Sequence, residues 1–337
     1  MTKMPRIALA LRPDLTPDFL PIHLRERLAC TCEILAVHPL LEFSTKEAQA
    51  ILSQTDVLLT GWGTPHIDST VLQSAPNLRL IAHTGSSVKS VASPDVWEAG
   101  IAVISAAAAN AVPVAEYALA AILFANKGVF AAHERFQRDP GFWRPQWMAP
   151  GQPGNCGAVV GIIGASRTGK RLMALLRAFD LEVLVSDPFL TDEEAASLGA
   201  EKVALAALMK RSDTVSIHAP ALPETRHMIA SPELSLMRDG TTIVNTARGT
   251  LVDHGALERE LVSGRLNAVL DVSDPEPLPQ GSPLFGLPNV FLTPHVAGAA
   301  GFETRRMTEL AIDEIERFAT GQPLRHEVTA SMLSRIG

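Results

Sequence analysis

The stretch "AVVGIIGASRTGK" at residues 158–170 passes from an apolar run into a glycine-spaced turn and then into helix-forming residues. A buried strand, a sharp turn and a helix make the opening unit of a parallel α/β domain. Gly164 and Gly169 hold the outer positions of a Gly-x-Gly-x-x-Gly spacing, which brings a pyrophosphate to a helix N-terminus. Ser166 stands where the middle glycine would let backbone approach the phosphates most closely. A serine adds only Cβ and a hydroxyl, so the turn reads as a variant in which Oγ or a water meets a phosphate oxygen, with Arg167 and Thr168 beside it.

Asp187 ends the next apolar run, "LEVLVSD", 18 residues beyond Gly169. An acidic side chain there can accept hydrogen bonds from the adenosine ribose hydroxyls and would repel a 2'-phosphate, so NAD is expected over NADP. An aspartate at a strand end is also a common helix cap or turn residue, and that reading stays open.

Working outward, short apolar runs alternate with helical stretches on both sides of this turn. Runs at 7–11, 33–37, 56–60, 78–83 and 101–104 precede it, and runs beginning at 159 and at 182–186, 214–217, 241–245, 266–270 and 290–292 follow. Two βα series predict an α/β protein with two Rossmann-like parallel sheets. Between them, 114–137 carries apolar residues at helical spacing and predicts one long helix, followed by a Pro- and Gly-rich loop containing Trp147. The amphipathic stretch 303–320 should return to the first domain and make it discontinuous. The expected domains are 1–109 with 299–337, and 110–298. Because ligands lie beyond the carboxyl ends of parallel strands, Ser166, Asp187, His218, Arg248, Asp271 and His295 are expected on one rim.

The chain has 337 residues, 47% hydrophobic and 19% charged, with a net charge of -7. These values suit a two-domain globular protein and leave no basic run for nucleic acid. Cys30, Cys32 and Cys156 lack paired metal-ligand spacing, and no metal is expected; free thiols suit the cytoplasm. The most apolar stretch, 101–125, is interrupted by Asn110, Pro113 and Glu116, so no membrane span is expected.

Three segments carry the candidate chemistry: "NTARGTLVD" at 245–253, "DVSDPEP" at 271–277 and "TPHVAG" at 293–298. A strand-end arginine followed by glycine, Arg248–Gly249, suits bidentate binding of a carboxylate. A lone His295 would more often be structural, but Glu276 as its partner would fix its tautomer and stabilise the imidazolium, making an acid/base pair.

These segments, with the variant glycine turn, Asp187 and "SIHAPALPETRHMI", resemble the signatures of the D-isomer-specific 2-hydroxyacid dehydrogenase family over nearly the whole chain. The order matches, with 28 residues from Arg248 to Glu276 and 19 from there to His295. Upstream, "IAHTGSSVKSV" and "AANAVPVAEYALA" resemble the family's substrate loop and first interdomain helix, the former in a less glycine-rich form. The resemblance implies a flavodoxin-like substrate domain, a Rossmann domain and an active site in the cleft between them. It implies NAD-dependent hydride transfer between a 2-oxo acid and a D-2-hydroxy acid. Arg248 would bind the carboxylate with the N–H groups of Ser86, Ser87 and Val88, and His295 backed by Glu276 would move the proton. Asp271 would orient the nicotinamide end, while His218, Ala219, Pro220, Thr246, Ala247 and Gly298 would line the cofactor cleft.

Trp62 could wall the substrate pocket or be plain core. Trp147 could reach a neighbouring subunit of a homodimer, or merely anchor the interface. Lys89 reads as solvated surface. Little chain follows the last helix, which suits a short glyoxylate- or hydroxypyruvate-reductase-like enzyme better than a phosphoglycerate dehydrogenase with a regulatory domain. An NAD-sensing corepressor on the same fold, or a formate- or phosphite-type dehydrogenase, are the alternatives.

Overall fold

The computed structural model describes residues 4–142 and 154–336. The chain divides into two compact units, Met1–Asn110 with Ala299–Ile336, and Ala111–Gly298. In the first unit, β1 (Arg6–Ala10), β2 (Glu33–Ile34), β3 (Val57–Thr60), β4 (Leu80–His83) and β5 (Ala102–Ser105) form a sheet ordered β2-β1-β3-β4-β5. Every pairing is parallel. This is the flavodoxin-like order, with the chain reversing direction across the sheet between β1 and β3.

Side-chain alternation explains why these runs are apolar throughout. Ile7, Leu9, Val57, Leu59, Leu80 and Ala82 face one core, whereas Ala8, Ala10, Leu58, Ile81 and Val103 face another. A sheet covered on both faces needs apolar residues at odd and even positions alike. The helix Glu303–Ala319 covers the first of these faces with Met307, Ala311, Ile312 and Ile315, all fully buried. It thereby closes the first unit with chain from the far end of the sequence.

The second unit contains β6 (Val159–Ile163), β7 (Glu182–Ser186), β8 (Glu201–Lys202), β9 (Thr214–Ile217), β10 (Thr242–Asn245), β11 (Asn267–Leu270) and β12 (Val290–Leu292). Their order is β12-β11-β10-β9-β6-β7-β8, again wholly parallel. The winding reverses between β6 and β9, which opens a crevice at the carboxyl ends of those two strands. Two doubly wound parallel sheets are the architecture the alternating runs lead one to expect.

Three local expectations need correction. The helix read from 114 to 137 is two helices, Ala107–Asn126 and Val129–Arg138, separated by Gly128 at φ 62°. Glycine enters the left-handed region without a Cβ penalty and stops the first helix there. Pro113 is carried inside the first helix, which therefore begins earlier than its apolar period suggests. The run 33–37 pairs only over Glu33–Ile34, and β8 is two residues, Glu201 and Lys202, too short and too charged to read as a strand.

By length and mean hydropathy, 1.5, the helix Ala107–Asn126 could cross a membrane. Instead its Ala115, Ala118, Ala121 and Ile122 pack against Val160 and Ile162 of β6, within the second unit's core.

Candidate active site

The glycine turn is shaped by two close approaches. Gly164 follows β6 at φ 95°, and a Cβ there would come within 2.5 Å of the Ala219 amide nitrogen. A Cβ on Gly169 would lie 2.2 Å from the Gly164 carbonyl oxygen, so the helix can sit on the turn only if residue 169 is glycine. Ser166 has a different role from the glycine it replaces. It is the N-cap of the helix Arg167–Leu176, and its Oγ accepts from the Gly169 N–H at 3.3 Å. Arg167 is exposed and Thr168 half-buried at the start of that helix.

Asp187, just past β7, faces the same turn. Its Oδ2 accepts from the Ala165 N–H at 2.7 Å, and its Oδ1 accepts from the Phe189 N–H at 2.8 Å. Each carboxylate oxygen keeps acceptor capacity for a ribose hydroxyl. His218 follows β9, is buried, and lies 2.8 Å through Nε2 from Ser216 Oγ. Burial pushes its imidazole down to about 4, so it stays neutral. Its main-chain N–H donates to the Ile163 carbonyl at 2.7 Å, tying β9 to the turn, with Ala219 buried and Pro220 half-buried beyond.

After β10, Asn245 shapes the arginine loop. Its Oδ1 accepts from the Ala247 N–H and its Nδ2 donates to the Arg248 carbonyl, both at 3.0 Å. Arg248 is thereby presented outward; it is exposed, and Nη1 donates to the Ala247 carbonyl at 2.7 Å. Gly249 then packs so closely on the next loop that a Cβ would lie 2.0 Å from the Ser273 carbonyl carbon. The loops carrying Arg248 and Glu276 are thus in backbone contact. Thr246 is buried, and its Oγ1 has no hydrogen-bond partner among the described residues.

Asp271, past β11, is buried and holds the following turn. Its Oδ1 accepts from Thr293 Oγ1 at 2.6 Å and the Val296 N–H at 2.8 Å, while Oδ2 accepts from the Ala297 N–H at 2.9 Å. Its backbone carbonyl also accepts from the His295 N–H at 2.9 Å. The carboxylate read as a nicotinamide contact is thus engaged by the histidine turn. His295 itself has φ 58°, left-handed backbone that non-glycine residues adopt only when neighbours enforce it.

His295 Nδ1 lies 2.5 Å from Glu276 Oε1, with the side chains 48% and 38% exposed. An ionised carboxylate can only accept, so Nδ1 carries the proton and donates, leaving Nε2 as the atom that can exchange a proton with a ligand. Gly298, half-buried, ends the segment.

On the first unit, Ser86 and Ser87 are half-buried and Val88 buried, in the turn after β4. The His83 ring lies under that turn: a Cβ on Gly85 would come 2.3 Å from its Nε2. Nδ1 is 3.0 Å from Thr60 Oγ1, and burial pushes the ring down to about 4. Trp62 meets Phe19 edge-on at 5.0 Å yet remains 41% exposed, so it has both a core and an open face. Lys89 is exposed, and Trp147 lies outside the described residues. Cys32 is buried, Cys30 and Cys156 are exposed, and all three are free thiols. No group of three potential metal ligands occurs among the described residues.

The sequence motifs named Arg248, Glu276 and His295 but missed Asn245 and Thr293, whose hydrogen bonds shape the loops beside Arg248 and His295. Asn245 and Thr293 lie inside the quoted motifs, and each is a short polar side chain beside a loop that needs local acceptors or donors.

The model of the D-isomer specific 2-hydroxyacid dehydrogenase NAD binding domain matches residues 119–297, the span that contains the glycine turn, Asp187, His218, Arg248, Asp271, Glu276 and His295. The chain belongs to the D-isomer specific 2-hydroxyacid dehydrogenase family. Among its relatives are a glyoxylate reductase from Korarchaeum cryptofilum, 32% identical over 77% of this chain and 78% of the relative, and a D-3-phosphoglycerate dehydrogenase from Archaeoglobus fulgidus, 31% identical over 84% of this chain. The chain spans 51% of the latter's length. D-mandelate dehydrogenase from Rhodotorula graminis superposes with a TM-score of 0.80 at 25% identity, over 97% of this chain and 98% of that one. The residues present suit this family's dinucleotide: Gly164 and Gly169 let a tight turn meet a helix start, and buried Thr246 has a hydroxyl with no hydrogen-bond partner among the described residues.

Proposed function

We propose that the protein is an NAD-dependent oxidoreductase that interconverts a short 2-oxo acid and the corresponding D-2-hydroxy acid. The observation that carries this reading is the Glu276–His295 contact at 2.5 Å, placed on a turn that the protein holds in left-handed backbone. A bound nicotinamide would supply the hydride for reduction at C2 of the substrate. Arg248 binds the carboxylate and draws electron density from the carbonyl, and the N–H groups of Ser86, Ser87 and Val88 form an anion nest on the first unit. His295 delivers a proton from Nε2 to the developing alkoxide, and Glu276 stabilises the imidazolium before transfer. In oxidation the neutral Nε2 accepts that proton.

The dinucleotide is held by the turn Gly164–Thr168, where Ser166 and Arg167 meet the pyrophosphate at the helix start. Asp187 takes the adenosine ribose and, by repelling a 2'-phosphate, favours NAD over NADP. His218, Ala219, Pro220, Thr246, Ala247, Asp271 and Gly298 line the remainder. We favour glyoxylate- or hydroxypyruvate-like substrates and a homodimer.

The test is a panel of 2-oxo acids, glyoxylate and hydroxypyruvate included, followed by loss of NADH absorbance. Turnover of at least one short acid is expected. Arg248→Ala should reduce kcat/KM by about 10²–10³-fold, as removal of one preorganised donor group does, while leaving NADH binding nearly intact. Tight NADH binding with no turnover across the panel would instead favour a sensor. A fall in NADH affinity as large as the fall in turnover would place Arg248 on the cofactor.

A further inference from the structure

The second unit contains a hydrogen-bond chain that begins away from the reacting groups. Tyr117, the sole tyrosine of the protein, lies on the helix Ala107–Asn126, and its phenol oxygen is 2.6 Å from Thr293 Oγ1. Thr293 Oγ1 is in turn 2.6 Å from Asp271 Oδ1, which accepts from the Val296 N–H. The proton directions follow from valence. Asp271 is an acceptor, so the single hydroxyl proton of Thr293 points to it; Thr293 must then accept, and Tyr117 must donate. The phenol is half-buried, and burial pushes its ionisation upward, keeping it a donor through neutral pH.

The chain ends on a turn whose backbone is costly to hold. A residue at φ 58° persists only where the surroundings over-determine it, and three of the restraints on this turn converge on the Asp271 carboxylate. We infer that Tyr117 is a positioning residue for the proton transfer: through Thr293 it orients the Asp271 carboxylate, and through that carboxylate it holds the turn that aims His295. Its part in catalysis rests on the function proposed above; the restraint on the turn does not.

Tyr117→Phe keeps the ring and removes only the donor. Hydrogen exchange by mass spectrometry on peptides covering 293–298 should show the amides of Val296 and Ala297 exchanging faster in the variant, with exchange in the glycine turn unchanged. With the best substrate, kcat should fall about tenfold, the equivalent of one lost hydrogen bond, while KM for NADH stays constant. Thr293→Val should lose at least as much, because it also removes the bond to Asp271, and the double variant should be no worse than Thr293→Val alone, since Tyr117 acts through that hydroxyl. Multiplied losses in the double variant, or unchanged exchange in Tyr117→Phe, would overturn the inference. Faster exchange in a protein that turns over no 2-oxo acid would keep the restraint and discard the proposed reaction. Should Thr293→Val fail to fold, the exchange and kcat of Tyr117→Phe decide alone.

Discussion

At the scale of single residues, Ser166 and Asp187 illustrate how one turn can serve both fold and ligand. Ser166 caps a helix, and its Oγ accepts from Gly169 N–H, so Ser166→Ala should cost about 1 kcal/mol of stability and Ser166→Gly only a few tenths. Glycine also opens the turn, so Ser166→Gly should keep or tighten NADH binding; a tenfold loss in a fluorescence titration would show that the hydroxyl makes a required contact. Asp187 both accepts the Ala165 N–H and carries the charge proposed to exclude a 2'-phosphate. Asp187→Ala should therefore lower NAD affinity more than NADP affinity, narrowing a preference that equal binding by the parent would already refute. For the acid/base pair, Glu276→Gln removes the charge that stabilises imidazolium. The fall of the reduction rate with rising pH and the fall of the oxidation rate with dropping pH should both move to more acidic pH, whereas His295→Ala should flatten both profiles and cost about 10²–10⁴-fold. Profiles unmoved by Glu276→Gln would leave the 2.5 Å contact without a catalytic role.

At the scale of elements, Arg248, Glu276 and His295 follow strands of one parallel sheet, but the loops of Arg248 and Glu276 are joined by backbone packing. Gly249 is the joint. A methyl group there would meet the Ser273 carbonyl at 2.0 Å, so Gly249→Ala must displace either the loop of Arg248 or that of Glu276. A stability loss of about 1–3 kcal/mol or more and a severe fall in kcat/KM are expected. Gly255→Ala, whose Cβ would sit 3.4 Å from its nearest neighbour inside a helix, should be near neutral in both measurements. Equal behaviour of the two variants in thermal unfolding and rate assays would remove Gly249 as a joint. This level also marks what the amino-acid sequence makes legible. Strands covered on both faces are continuous apolar runs, so their ends, and with them Asp187, Arg248 and Asp271, can be found from one dimension. The contact of Tyr117 with Thr293 cannot, because 176 residues separate them and no period links a helix position to a particular loop hydroxyl. Nor can two-residue β8, whose Glu201 and Lys202 carry no apolar signal. The break at Gly128 was within reach, since Lys–Gly ends many helices, but the apolar period continues across it and masked the stop.

At the scale of the whole molecule, each unit carries one buried neutral histidine beneath a turn proposed to bind an anion: His83 under residues 85–88 and His218 beside Gly164. Burial pushes both imidazoles down to about 4, against about 6.5 for an exposed histidine. Between those values the unfolded chain binds protons that the folded protein excludes, so stability is full above pH 6.5 and declines as pH falls toward 4. A shift of this size corresponds to roughly 3 kcal/mol for each group, a large share of the stability of an ordinary domain. Carboxylates contribute at more acid pH; Asp253, held below its usual range mainly by the Ala256 N–H at a helix start, is an example. The measurement is Tm as a function of pH for the parent, His83→Gln and His218→Gln. Each variant should be less stable than the parent at neutral pH, because Thr60 or Ser216 loses its imidazole partner, yet each should lose less stability between pH 6.5 and 4. Because the two histidines sit in different units, the flattening should add in the double variant. A double variant with the parent's acid slope would mean that the proton uptake belongs to carboxylates, and that neither turn rests on a neutral ring.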